Sequence, residues 1–276
     1  MMLVDAHQHF WRLADRNGAW PPPELAAIYR DFFPDDLAPL LARHGVAATV
    51  LVQSMPNEDD THFMLDLARR NPFIKGVVGW TDLKAPDAPA RIAALAADPA
   101  LKGLRPMLQD IADGDWIADP ALGPGVQAML RHGLSFDALV LPRHLPALLA
   151  FAERHPELPI VIDHGAKPLI ADGVLEPWRS DIARLAALPQ VCCKLSGLVT
   201  EAGPGWDVER LRPYVAHLLA SFGPQRLIWG SDWPVLNLAA DYGGWIAACA
   251  SLLGHLGEPD RQAIFGLNAR RFYRID

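Results

Sequence analysis

Cysteine is scarce in this chain: Cys192, Cys193 and Cys249 are the three in 276 residues. The first two are adjacent and would fall on opposite faces of a strand, so the set makes neither a disulfide framework nor a zinc knuckle. No run of Lys or Arg occurs, and the formal net charge is −7. That balance excludes nucleic acid and anionic membrane as main partners, because both require concentrated basic patches. No apolar stretch reaches the roughly 18 residues of a membrane span. Nor does a basic segment with an apolar run open the chain, since Asp5, His7 and His9 interrupt it. Reduced thiols without a leader give the expectation of a cytoplasmic protein. Linkers and shifts of composition are absent too, which predicts a single domain over residues 1–276.

What the chain does have is alternation. Apolar runs rich in β-branched residues occur at "LVDAHQHF", "ATVLVQS", "IKGVVGW", "LKGLRPM", "LSFDALV", "PIVIDHG", "VCCKLSG" and "RLIWGSD". Between them lie stretches with apolar spacings of three and four, such as "DDLAPLLARHG" and "DVERLRPYVAHLLASFG". Eight strands alternating with eight helices at this length predict an α/β fold, a (β/α)8 TIM barrel. The rival is a doubly wound open sheet, but no Gly-rich phosphate turn follows the first strand.

In such a barrel the C-terminal ends of the strands carry the chemistry. Those ends supply His7 and His9, then Gln53, Trp80, Arg105 with Gln109, His164, Lys194 with Ser196, and Asp232 beside Trp233. Alternation in an extended strand predicts that Asp5, His7 and His9 share one face. Strands one and eight are neighbours in a closed barrel, which brings Asp232 to both histidines. Two imidazoles and a carboxylate make a site for one divalent ion, with zinc the expected metal. Taken singly, His164 reads as a core histidine and Asp232 as a helix cap; Trp80 and Trp233 read as rim packing. Lys194 is harder to dismiss, because a buried lysine needs a partner. Together, so many polar groups on one face are costly unless function retains them. The other seven histidines fall in or beside helical stretches and receive no chemical role.

The stretches "DAHQHFW", "RDFFPDDL", "VVGWTDL", "KGLRPMLQD", "VIDHGAKP", "CKLSGLVTEA", "FGPQRLIWGSDWPV" and "NARRFY" resemble the amidohydrolase superfamily. More closely they resemble its sugar-lactone hydrolase branch, which includes L-fuconolactonase and L-rhamnonolactonase, with 2-pyrone-4,6-dicarboxylate lactonase more distant. The resemblance runs from about residue 3 to residue 273. Binuclear members of the superfamily hold a carboxylated lysine on strand four and a histidine on strand five. Here strand four offers Arg105, and strand five, "LSFDALV", has no histidine. The resemblance therefore implies at most one divalent ion, zinc, with a metal-free site as the alternative.

The implied activity is that of a carboxylic ester hydrolase that opens an aldonolactone, such as L-fucono- or L-rhamnonolactone, to the free acid. Such a reaction asks for a polarised carbonyl, an activated water and a stabilised oxyanion. Asp232 is the expected general base, with His164 and Lys194 as donors to the carbonyl and His7, His9 and Asp232 as metal ligands. Gln53, Arg105 and Gln109 are expected to hold substrate oxygens, while Trp11, Trp80 and Trp233 pack against the ring. The segment 11–34 is long enough for an active-site lid, a rigid loop being the alternative. One rival is a superfamily hydrolase or decarboxylase acting on a dicarboxylate or an amide; the other is a non-catalytic sugar-binding barrel. The expected partner is a small-molecule sugar lactone, and the sequence leaves a homodimer open.

Overall fold

The computed structural model describes residues 3–276. Eight strands form one parallel sheet in sequential order: β1 (Leu3–Gln8), β2 (Val46–Val52), β3 (Ile74–Gly79), β4 (Leu101–Leu104), β5 (Ser135–Ala138), β6 (Ile160–Ile162), β7 (Val191–Leu195) and β8 (Leu227–Trp229). The sheet closes where Asp232 N donates to His7 O and His9 N donates to Trp233 O, both at 2.8 Å. The molecule is therefore the expected (β/α)8 barrel. A Cβ on Gly230 would meet the Cβ of His7 at 2.7 Å, so only glycine admits this approach of the first and last strands.

The helices are set by local chemistry. In α1 (Pro34–His44) a proline occupies the first turn, the Asp36 carboxylate accepts Phe33 N at 2.9 Å, and Gly45 ends the helix at φ 68°. Asn57 caps α2 (Glu58–Arg70) through Asp60 N, with three acidic residues in the first turn and two arginines in the last. The outer layer continues with α3 (Ala88–Leu95), α4 (Gly123–Arg131), α5 (Leu145–Arg154) and α6 (Trp178–Ala186). A short α7 (Leu198–Ala202) follows β7, ahead of α8 (Val208–Phe222), α9 (Tyr242–Leu252), α10 (Glu258–Gln262) and α11 (Asn268–Tyr273). Among the described residues, no helix is long and apolar enough to cross a membrane.

Two buried apolar clusters follow from the strand alternation. The larger packs strand residues such as Leu51, Leu104 and Trp229 against the helices. The smaller lies inside the barrel and gathers Val4, Ala6, Val50, Val78, Val161 and Ile228 over Tyr273 and Ile275, which plug its base. The other end of the barrel is polar.

The segment 11–34 is stitched to the barrel. Trp11 pairs with Phe32 through two backbone hydrogen bonds, and its indole donates to Arg30 O at 2.7 Å. Arg16 is buried, donates to Ser54 Oγ and to Trp20 O, and lies 3.8 Å from Asp60.

Candidate active site

The first strand is not regular. Asp5 pairs with Thr49 and Gln8 with Leu51, so three steps on β1 match two on β2. This one-residue bulge resets the alternation and re-aims the side chains beyond it. Asp5, His7 and His9 accordingly do not share a face, contrary to the sequence expectation. Asp5 turns outward to accept hydrogen bonds from Ser231 Oγ at 2.6 Å and Tyr242 Oη at 2.9 Å. Burial pushes its carboxyl up to about 6 despite these donors. His7 and His9 turn inward, their Nε2 atoms 3.2 Å apart.

Asp232 reaches them from the end of β8. Its Oδ1 lies 3.2 Å from His9 Nε2, 3.7 Å from His7 Nε2 and 3.8 Å from His164 Nε2. Asp232 (φ 61°) and His164 (φ 53°) both hold left-handed backbone, an outlier conformation that collects at functional sites. Two of the imidazoles are oriented from behind: His9 Nδ1 meets Val52 O at 2.7 Å, and His164 Nδ1 meets Ser196 Oγ at 2.9 Å. The first contact puts a proton on His9 Nδ1, since a carbonyl only accepts, and aims Nε2 into the site. Gly197 follows at φ 64°, and a Cβ there would meet the His164 ring at 2.6 Å.

Electrostatics separate the groups. Burial opposes ionisation of Asp232, but His164, His9 and His7 outweigh it and hold the carboxyl below its ordinary range. Burial lowers His164 to about 4 and His7 well below its usual value, so both rings are neutral near pH 7. Two groups offer ligand atoms within 4.8 Å of one another: His7, His9 and Asp232, and His7, Asp163 and His164.

Above this floor opens a cavity of about 400 Å³. His9, His164, Asp232 and Arg105 form its base, with Gln109, Asp110, Lys167 and Glu201 on its polar walls. Trp20, Leu139, Val235 and Leu238 are apolar members of its lining.

A family model described as amidohydrolase matches residues 4–275. The chain belongs to the amidohydrolase family. It is 60% identical to an L-fucono-1,5-lactonase of Burkholderia ambifaria, over 99% of this chain and 96% of that one. An L-fucono-1,5-lactonase of Burkholderia multivorans is 39% identical over 99% and 96%. The crystal structure of a Burkholderia multivorans amidohydrolase with bound zinc superposes with a TM-score of 0.95, at 38% identity and full coverage of both chains.

In this amidohydrolase several expected residues fall elsewhere than the sequence reading put them. Lys194 is fully buried beneath His7, with Nζ 3.0 Å from His7 Nδ1, 2.8 Å from Asp137 and 2.9 Å from Asp163, and it does not line the cavity. Gln53 is also buried below the cavity; its amide donates to Arg105 O at 2.7 Å, so it holds the arginine. Trp233 is buried against Phe10 and Phe32, because the left-handed turn at Asp232 sends consecutive side chains apart. Trp11 packs with Trp20 and Phe32. Trp80 has both backbone groups tied to Thr61 Oγ1 and lines a neighbouring depression with Leu83, Pro106 and Trp116. The aromatic residue in the cavity wall is Trp20 instead.

Sequence reasoning also passed over Asp137 and Asp163. Asp163 lies 3.1 Å from Arg105 Nη1 and 3.4 Å from His7 Nδ1. Burial works against its ionisation, yet Lys194 and His7 hold it well below the usual range. Asp137 accepts from Tyr273 Oη at 2.5 Å as well as from Lys194. The available sign was Lys194 itself: a lysine on an inward strand position requires carboxylates on neighbouring inward positions.

Proposed function

We propose that this chain hydrolyses a sugar-acid lactone, with a six-carbon aldono-1,5-lactone of the L-fuconolactone type as substrate. The observation that carries this reading is Asp232: an ionised carboxylate on the floor of a cavity of about 400 Å³, beside Arg105 and three convergent imidazoles. The names of two full-length relatives support the substrate class.

The imidazole contacts of Asp232 all fall on Oδ1, which leaves Oδ2 to accept a proton from the attacking water. Water adds to the lactone carbonyl carbon, and the oxyanion that forms is stabilised by the Arg105 guanidinium. His164 adds a second donor when the Ser196 hydroxyl donates to Nδ1 and leaves the proton on Nε2. Collapse breaks the bond from carbonyl carbon to ring oxygen, and Asp232 returns its proton to that oxygen. Water and ester thus become acid and alcohol.

The donor set fits one divalent ion. His9 turns its Nδ1–H to Val52 O and its Nε2 to the site, where it lies 3.2 Å from His7 Nε2. His7, His9 and Asp232 would hold zinc, whose Lewis acidity would polarise the carbonyl. The segment 11–34 serves as the cavity wall that carries Trp20.

A dicarboxylate substrate fits less well. Apart from His9 and His164, the ionisable cavity residues are Arg105 and Lys167 against Asp110, Glu201 and Asp232, and both of these cations already face carboxylates. A panel of lactones read by acid release tests the proposal. L-fucono-1,5-lactone should be opened far faster than pyrone dicarboxylates or amides, and a preference for the dicarboxylate would overturn it.

A further inference from the structure

Behind the candidate base, the cavity wall carries an ion pair that the hydrolytic step does not use. Lys167 Nζ lies 3.5 Å from Glu201 Oε1, and both side chains are about one-quarter exposed. The two residues come from different loops, after β6 and on α7, and line the same cavity as Asp232.

The placement of Lys167 is built into the backbone. His164, Ala166 and Lys167 hold φ of 53°, 63° and 49°, and Gly165 between them holds 59°. Left-handed conformation costs roughly 1 kcal/mol or more at each non-glycine residue, so this turn persists only because the surroundings hold it. Those surroundings are explicit. Lys167 N donates to His164 O at 2.9 Å, and Ala171 N donates to Glu201 O at 3.0 Å, tying one loop to the other. Tyr214 Oη fastens the same loop through Val174 O at 3.2 Å.

A pair at 3.5 Å spends little of its hydrogen-bonding capacity. An ammonium has three donors and a carboxylate accepts at about four positions. Both residues line the cavity, with Leu139 on the neighbouring loop after β5 and Val235 and Leu238 on the neighbouring loop after β8. The lining thus mixes hydrogen-bonding and apolar groups, as a deoxy-sugar lactone presents hydroxyls together with a methyl group and ring hydrogens.

We propose that Glu201 and Lys167 form the hydroxyl-reading wall of the site, with the Glu201 carboxylate accepting two vicinal ring hydroxyls and the Lys167 ammonium donating to a third oxygen. This assignment rests on the lactonase reading above. It makes the pair a specificity determinant, set apart from the Asp232 chemistry.

The test compares L-fucono-1,5-lactone with δ-hexalactone, which keeps the six-membered ring and the methyl group but has no hydroxyls. Glu201→Gln should raise KM for the sugar lactone more than it lowers kcat. The ratio of kcat/KM values for the two lactones should fall at least about tenfold, because a site built to hydrogen-bond a hydroxyl discriminates against the analogue that lacks it. Lys167→Met should shift the ratio the same way, and Glu201→Asp should recover part of it; circular dichroism of each variant checks the fold. An unchanged ratio in folded Glu201→Gln, with wild type active, overturns this inference alone. Wild type inactive on every lactone overturns the lactonase reading and this one with it.

Discussion

Lys194 and Asp163 form a 2.9 Å ion pair in which neither side chain reaches solvent. The same ammonium lies 2.8 Å from Asp137, and Arg105 lies 3.1 Å from Asp163, so two cations face two carboxylates under the active-site floor. Removing one member of such a cluster strands buried charge. Lys194→Met should therefore destabilise the protein by about 3–5 kcal/mol in urea unfolding. Adding Asp137→Asn should recover part of that loss. A change under about 1 kcal/mol for the single variant would mean that the cluster does not depend on its lysine.

Asp232→Asn keeps the shape of the side chain and removes the proton acceptor. Lactone hydrolysis should fall at least about a hundredfold in kcat, the lower end of general-base effects, with the fold intact. Turnover near the wild-type value would remove Asp232 from the mechanism.

Metal analysis of the purified protein should give no more than one zinc per chain, and His9→Ala should abolish its retention on gel filtration. A stoichiometry of two would mean that the second ligand group, His7, Asp163 and His164, also holds an ion. Full activity after complete chelation would assign carbonyl polarisation to Arg105 and His164.

The thiols give a prediction about pH. Burial raises all three, Cys192 to about 11. An unfolded thiol ionises near pH 9, so between about 9 and 11 the unfolded chain has released protons that the folded chain still holds. Folding stability should then fall as pH rises through this window. At pH 8 iodoacetamide should leave native Cys193 and Cys249 unmodified and label all three cysteines in urea. Fast labelling of native Cys193 would contradict its burial.

The sequence was most informative where one rule sufficed. Alternating apolar runs give eight strands, closure of eight strands puts β8 beside β1, and Asp232 must then meet His9. It was least informative where the phase of a strand changes. Asp5 and His7 are two apart, yet one extra residue in β1 sends them to opposite sides, and that bulge depends on register against β2. The same limit applies to Trp80, Trp233 and Gln53: being at a strand end does not say which way a side chain leaves it. Asp137 was hidden for another reason, since one carboxylate inside an apolar strand has meaning only beside Lys194, 57 residues away.

Closure of the barrel also makes this site a clock for folding. Two of its histidines come from the first strand and its carboxylate from beyond the last, and His9 and Asp232 stand 223 positions apart in the chain. Contacts so distant along the chain form late, after the intervening loop entropy has been overcome. Refolding chains should regain helical signal first and catalysis last, so that recovered turnover times the moment when the two ends of the sheet meet.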